Sequence, residues 1–263
     1  MIGHVGPFML RWYGVLFASG IIAGVWLGLR EGRRKGLDID RVQSLAMWAV
    51  AGGLVGARLF HVIDHWHTYA SDPLRAFDIS QGGLAVYGGL FGGVTSGLVY
   101  ALRNGLPVWR LGDAAAPAML LGQAIGRLGC IPNGDALGSR TNVPWAFVYT
   151  NPNSMVPAEL LGVPTHPYAA YEILLDLALL ALVWRLRTVF RRDGLLFLTY
   201  AGAYSLGRFL LTYVRTERIW FWGLQEAQVI AILTLAVAVP LLAWRLRSGG
   251  LPPATTRQAA QQA

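Results

Sequence analysis

What most constrains this chain is a succession of long apolar runs, about seven of them, each of roughly 17–25 residues. Runs of that length cross the hydrocarbon core of a bilayer when coiled as α-helices. Lipid allows little else, because every backbone N–H and C=O must find its partner inside the protein. The runs fall at approximately 12–30, 44–63, 83–102, 111–127, 167–184, 194–213 and 224–244. The expected fold is therefore an all-α polytopic membrane protein. Charged residues make up 14% of the chain, against about 25% in soluble domains. The N-terminus lacks the basic stretch and cleavage site of a signal peptide, so the first span is expected to be retained.

The formal charge of +8 comes almost wholly from arginine; Lys35 is the single lysine. Its distribution answers to a membrane rather than to nucleic acid. Arg30, Arg33, Arg34, Lys35 and Arg41 follow the first span, and Arg103 and Arg110 follow the third. Arg185, Arg187, Arg191 and Arg192 follow the fifth; Arg245, Arg247 and Arg257 follow the seventh. These alternate loops share one side, which the positive-inside rule makes cytoplasmic. The N-terminus is then outside and the C-terminus inside. Residues 1–247 are expected to form one membrane-embedded domain. Residues 128–166 would build a small outer head between helices four and five, and 248–263 a disordered cytoplasmic tail.

Charges inside apolar runs mark the candidate site. An ionised side chain at the bilayer centre costs about 2.5–3.5 kcal/mol or more, so such residues normally face a protein interior or a wet cavity. Arg58, Arg127 and Arg208 lie toward the outer ends of spans two, four and six. His166, Tyr171, Glu172 and Asp176 occupy the outer part of span five, and Arg11 and Tyr13 begin span one. Tyr204, Arg208, Thr212 and Arg215 recur at the spacing of one helical face. Glu172 is placed to pair with one of the arginines. The arginines outnumber the acids there, which leaves room for a bound anion. Structural ion pairs and snorkelling side chains are the plainer alternative.

Other features carry less. Glycines at Gly52, Gly53, Gly56, Gly82, Gly83, Gly88, Gly89, Gly92, Gly93 and Gly97 read as helix-packing positions, notably the row Gly89-Gly93-Gly97. Tyr87 stands between two Gly-Gly pairs at the outer end of span three. The segment His61, Asp64, His65, His67 has ligand types suited to zinc, but a polar membrane interface accounts for it, so no metal is expected. Cys130, the one cysteine, excludes an internal disulfide and reads as a small buried residue.

At 126–138 the chain reads GRLGCIPNGDALG. This resembles the signature of the prolipoprotein diacylglyceryl transferase family, close to G-R-x-G-N-F-x-N-G-E-x-x-G. RWYG at 11–14, GARLFHV at 56–62, GGLAVYGGLFGG at 82–93, HPYAAYE at 166–172 and YSLGRF at 204–209 agree in order and spacing. The resemblance implies a monomeric enzyme of the bacterial inner membrane that needs no cofactor, with its head in the periplasm. It would move the diacylglyceryl group of phosphatidylglycerol to the lipobox cysteine of a preprolipoprotein signal peptide, releasing glycerol 1-phosphate. It also implies that Arg127 and Arg208 serve the phosphate. Asn133, Gly134, Asp135 and Gly138 complete the signature, and Tyr13 and Tyr204 line the site. Arg58, His166 and Glu172 are expected beside them.

This chain departs from the pattern at several points. Tyr87 stands where well-studied members have His, Asp135 replaces Glu, Cys130 replaces Asn, Pro132 interrupts the motif, and Thr212 replaces an acid. A phenol with a pKa of about 10 is a poor base for a thiol. The proton acceptor is left among a phosphate oxygen, water and a carboxylate such as Asp135. Two other functions fit the same residues: a diverged lipid-binding relative without this chemistry or with another acceptor, and an anion transporter. The second usually shows internal repeats, which this sequence lacks.

Overall fold

The computed structural model of the protein describes residues 3–5, 8–10, 12–70, 72–78, 83–215 and 219–247. The expected tail at 248–263, Arg11 and Gly82 lie outside the described residues. Among the described residues the fold is all-helical apart from three two-stranded ribbons. The ribbon β1 (Gly3–Val5) with β2 (Phe8–Leu10) precedes α1 (Trp12–Arg34). Then come α2 (Ile39–Asp64), the single turn α3 (Trp66–Tyr69), α4 (Val86–Arg103) and α5 (Val108–Asn133). The ribbon β3 (Phe147–Val148) with β4 (Pro164–Thr165) leads to α6 (Tyr168–Leu186) and α7 (Leu195–Thr212). The ribbon β5 (Ile219–Phe221) with β6 (Leu224–Gln225) leads to α8 (Glu226–Arg247).

Five of the helices, α1, α2, α5, α7 and α8, are long and apolar enough to cross a membrane. α4 and α6 fall outside this set for different reasons. Glycines at 88, 89, 92, 93 and 97 dilute α4, while α6 carries Glu172, Asp176 and Arg185.

The helices group by packing. α1 lies along α5, where a Cβ at Gly20 would stand 2.8 Å from the Gly122 carbonyl oxygen. α5, α6, α7 and α8 continue the bundle, with a core of Ala116, Leu120, Leu179, Val183, Leu196 and Tyr200. α2 and α4 pack mainly on each other. Their closest approach is at Gly56 and Gly92: a Cβ on Gly56 would come within 2.3 Å of the Gly88 carbonyl oxygen, and one on Gly92 equally near that of Gly52. The row Gly89-Gly93-Gly97 flanks this seam at looser distances.

Charge fixes the ends where the basic loops gather. Glu31, 1% exposed, pairs with Arg34 at 2.7 Å and with Arg187. Buried Asp113 on α5 accepts the N–H of Gly194 and of Phe197, each at 2.9 Å, and pairs with Lys35 at 2.8 Å. One carboxylate thus caps the start of α7 from a neighbouring helix and joins it to the end of α1.

Several boundaries differ from expectation: α1 ends four residues beyond 30, and α2 begins five residues before 44. Span four was expected to end at Arg127, but α5 runs six residues further, to Asn133, and stops at Gly134 in the left-handed conformation (φ 74°). Arg127 is a good helix former and does not end the helix; Gly134 does. The segment between α5 and α6 is correspondingly shorter, and ordered.

Candidate active site

The site is built from three helices. Arg127 comes from α5, Glu172 and Tyr168 from α6, and Arg208 from α7. The Glu172 carboxylate, 3% exposed, lies between the two guanidinium groups. Its Oε2 stands 2.8 Å from Arg127 Nε, a close ion pair rather than an aligned hydrogen bond. Its Oε1 pairs with Arg208 and accepts a hydrogen bond from the Tyr168 hydroxyl at 3.2 Å. Tyr168, with no exposed surface, also accepts from Arg208. Its ring lies under the Arg208 and Arg215 guanidiniums, at 5.5 and 4.9 Å from the centroid. Four groups are therefore held in one orientation before any ligand arrives.

The charge count has a chemical meaning. Two guanidiniums meet one carboxylate within ion-pair distance, so the set is cationic. A buried excess of positive charge in low dielectric attracts an anion strongly. Two planar guanidiniums suit phosphate oxygens through paired hydrogen bonds, which an ammonium group cannot match.

The signature segment forms the wall next to this cluster. Asn133 donates to the Met155 sulfur at 3.2 Å, and its carbonyl accepts the Met155 N–H at 2.9 Å. Cys130 Sγ lies 3.9 Å from Arg127 Nη1 and packs with Ala136, Tyr168, Ala169 and Tyr13. Tyr13, in the first turn of α1, thereby adjoins the cluster; a Cβ on Gly129 would stand 3.3 Å from its Cα. Asp135 is exposed. Burial raises the Tyr149 phenol above its ordinary value, and the nearby Asp135 carboxylate adds to this. Gly138 has no room for a side chain: a Cβ would meet the His166 carbonyl oxygen at 2.6 Å and that of Val214 at 2.9 Å. Its N–H donates to the His166 carbonyl, and Ser139 N–H to that of Val214, which ties the segment to the start of α6 and the end of α7. His166 Nδ1 lies 3.2 Å from the Tyr171 hydroxyl, which accepts from Trp145 Nε1 at 2.6 Å. Tyr204 stacks obliquely on Tyr200 and lies within electrostatic reach of Arg127.

Two expected members come from a different pair of helices. Arg58 on α2 donates to the carbonyls of Arg75 and Ala76 at 2.7 Å, of Asp78 at 2.6 Å and of Gly83 at 3.0 Å. It thus organises the connection from α2 to α4. Tyr87, 44% exposed, occupies the first turn of α4. Both belong to the α2–α4 pair rather than to the three helices that carry the arginines. Among the described residues, no three His, Cys, Asp or Glu side chains gather to hold a metal. His61 and His65 stack their rings at 4.4 Å instead. Tyr168 is the functional group that sequence reasoning missed. Its signal was there: it precedes Glu172 by four residues, hence shares its helical face.

Comparison with known proteins gives the family. A model of the prolipoprotein diacylglyceryl transferase family matches residues 1–244. The chain is similar to the phosphatidylglycerol–prolipoprotein diacylglyceryl transferases of Bacillus anthracis (strain A0248), Bacillus cereus (strain ATCC 14579) and Bacillus mycoides (strain KBAB4). Identity is 38% over 247 residues in each case, covering 94% of this chain and 92% of the relative.

Proposed function

Because the chain belongs to the prolipoprotein diacylglyceryl transferase family, we propose that it moves the diacylglyceryl group of phosphatidylglycerol to the lipobox cysteine of a preprolipoprotein. The single observation that carries the site assignment is the Glu172 carboxylate held between Arg127 and Arg208. The phosphate of phosphatidylglycerol binds to these two guanidiniums. The thiolate of the acceptor attacks the glyceryl carbon that bears the phosphate ester. A C–S bond forms, the C–O bond to phosphate breaks, and glycerol 1-phosphate leaves with the electron pair. Charge grows on the departing phosphate, so fixed guanidiniums aimed at it stabilise the transition state more than the ground state. Asn133, Gly134 and Gly138 hold the wall of the lipid site, with Tyr13, Tyr204 and His166 around it. The thiol proton passes to a phosphate oxygen, water or Asp135. Expression in a strain depleted of its own transferase tests this reading. Thioether lipidation seen by mass spectrometry supports it; unmodified prolipoprotein overturns it.

The membrane arrangement follows from the same reading. All seven long helices cross the bacterial inner membrane, with the N-terminus outside and the C-terminus in the cytoplasm. The segment between α5 and α6 is the periplasmic head, and the chain works as a monomer. Basic residues at alternate connections support this orientation. A cysteine placed in 134–166 is expected to react with an impermeant maleimide from the periplasm. Labelling from the cytoplasmic side alone would overturn the topology.

Tyr87, on the α2–α4 pair, acts by packing or hydrogen bonding, not as an obligatory base. Its phenol has the wrong intrinsic pKa for a neutral-pH base, and 44% of its surface is exposed. Tyr87→Phe is expected to keep a large part of the turnover, and Tyr87→His to be tolerated. A loss of several orders of magnitude in Tyr87→Phe, with lipid binding intact, would assign the phenol a proton-transfer role instead.

A further inference from the structure

A groove of about 720 Å³ runs between α1, α5 and α6, on the half of the bundle away from Arg127 and Arg208. Its floor is apolar, with Leu121 from α5 and Leu177 from α6. Its mouth, near the C-terminal ends of α1 and α6, carries Arg30 and Arg185 beside Trp26 and Trp184. Both arginines are exposed, and neither makes an ion pair among the described residues. The nearest buried acid, Glu31, is already taken by Arg34 and Arg187. The Arg30 guanidinium lies 5.8 Å from the Trp26 ring centroid, an arrangement typical of the membrane–water boundary.

We propose that this groove holds an anionic phospholipid of the cytoplasmic leaflet, separate from the lipid consumed in the reaction. The leaflet assignment rests on the topology given above. Charge complementarity selects the occupant. An acyl chain fits the leucine-lined floor, while two uncompensated guanidiniums face the phosphate level of the bilayer. A zwitterionic lipid would bring an ammonium or choline group toward the same arginines. Basic pockets between transmembrane helices on the cytoplasmic side bind acidic head groups by this logic. Leu121 lies six residues before Arg127, about 9 Å along the helix axis. The two lipids thus sit at different depths of the same bundle.

The test uses the full chain in bilayer nanodiscs, with photoactivatable phosphatidylserine or phosphatidylcholine bearing identical acyl chains. Phosphatidylserine supplies the charge without being the phosphatidylglycerol substrate. Adducts mapped by mass spectrometry are expected on α1 and α6 around Trp26 and Leu177, favouring the anionic lipid by about tenfold or more. The double variant Arg30→Ala/Arg185→Ala is expected to lose that preference while keeping transferase turnover, which shows that it is folded. Equal labelling by both lipids, an absence of adducts in the groove, or a preference that survives the double substitution overturns the proposal. So do chain-to-chain crosslinks at this groove, which would assign it to a second copy.

Discussion

Arg127→Ala and Arg208→Ala are each expected to lower turnover by about two to three orders of magnitude or more, with the protein still inserted and folded. Release of glycerol phosphate from phosphatidylglycerol, with a lipobox peptide as acceptor, measures this. On the proposed reading the effect is large because each guanidinium faces the point where charge accumulates, beside a carboxylate that fixes its position. Arg127→Lys and Arg208→Lys are expected to recover only part of the loss, since an ammonium group has no planar fork for two phosphate oxygens. Full activity in either alanine variant would falsify the phosphate assignment.

Glu172→Ala is expected to act on stability as much as on rate. It leaves the partly buried Arg127 and Arg208 beside each other without their shared carboxylate. Removing one partner from a buried ionic set typically costs about 3–5 kcal/mol. The Tyr168 hydroxyl would lose its acceptor as well. A fall of several degrees in the apparent Tm of the detergent-solubilised protein is the expected reading. Added phosphatidylglycerol should restore part of that loss, because its phosphate supplies the missing negative charge. A Tm equal to that of the parent chain would show that the carboxylate does not hold the arginines together.

The site residues legible in the sequence were those that violate the solvent. Arg127, Glu172 and Arg208 stood out because lipid penalises a charge in an apolar run. The same penalty hid the true end of α5, since it closed the span at Arg127 while the helix continues to Asn133. Arg58 violated the solvent in the same way, yet its donors turn to the carbonyls of 75, 76, 78 and 83. Sequence spacing gives no sign of that, because a carbonyl is present at every residue. Asp113 was equally silent. Its role as the cap of α7 depends on a contact 81 residues away in the chain, and local pattern does not encode such a pairing. Glycine density marked packing positions but not the partner: α2 and α4 meet most tightly at Gly52, Gly56, Gly88 and Gly92, with Gly89, Gly93 and Gly97 at looser distances. Which glycine row faces the partner is decided by the partner.

The charges of the cluster also appear in a particular order as the chain is made. Arg127 is synthesised first, Glu172 next and Arg208 last. During insertion the running charge of the three is plus one, then zero, then plus one. At no stage does the growing bundle carry two like charges of this set into the lipid without an opposite charge already there. The carboxylate enters with a waiting partner, and the second arginine enters against a carboxylate already shared. On the proposed topology, the cost of assembling a site of net charge plus one is spread over three separate helices. On the proposed reading, the one uncompensated charge is the attraction that draws a lipid phosphate in.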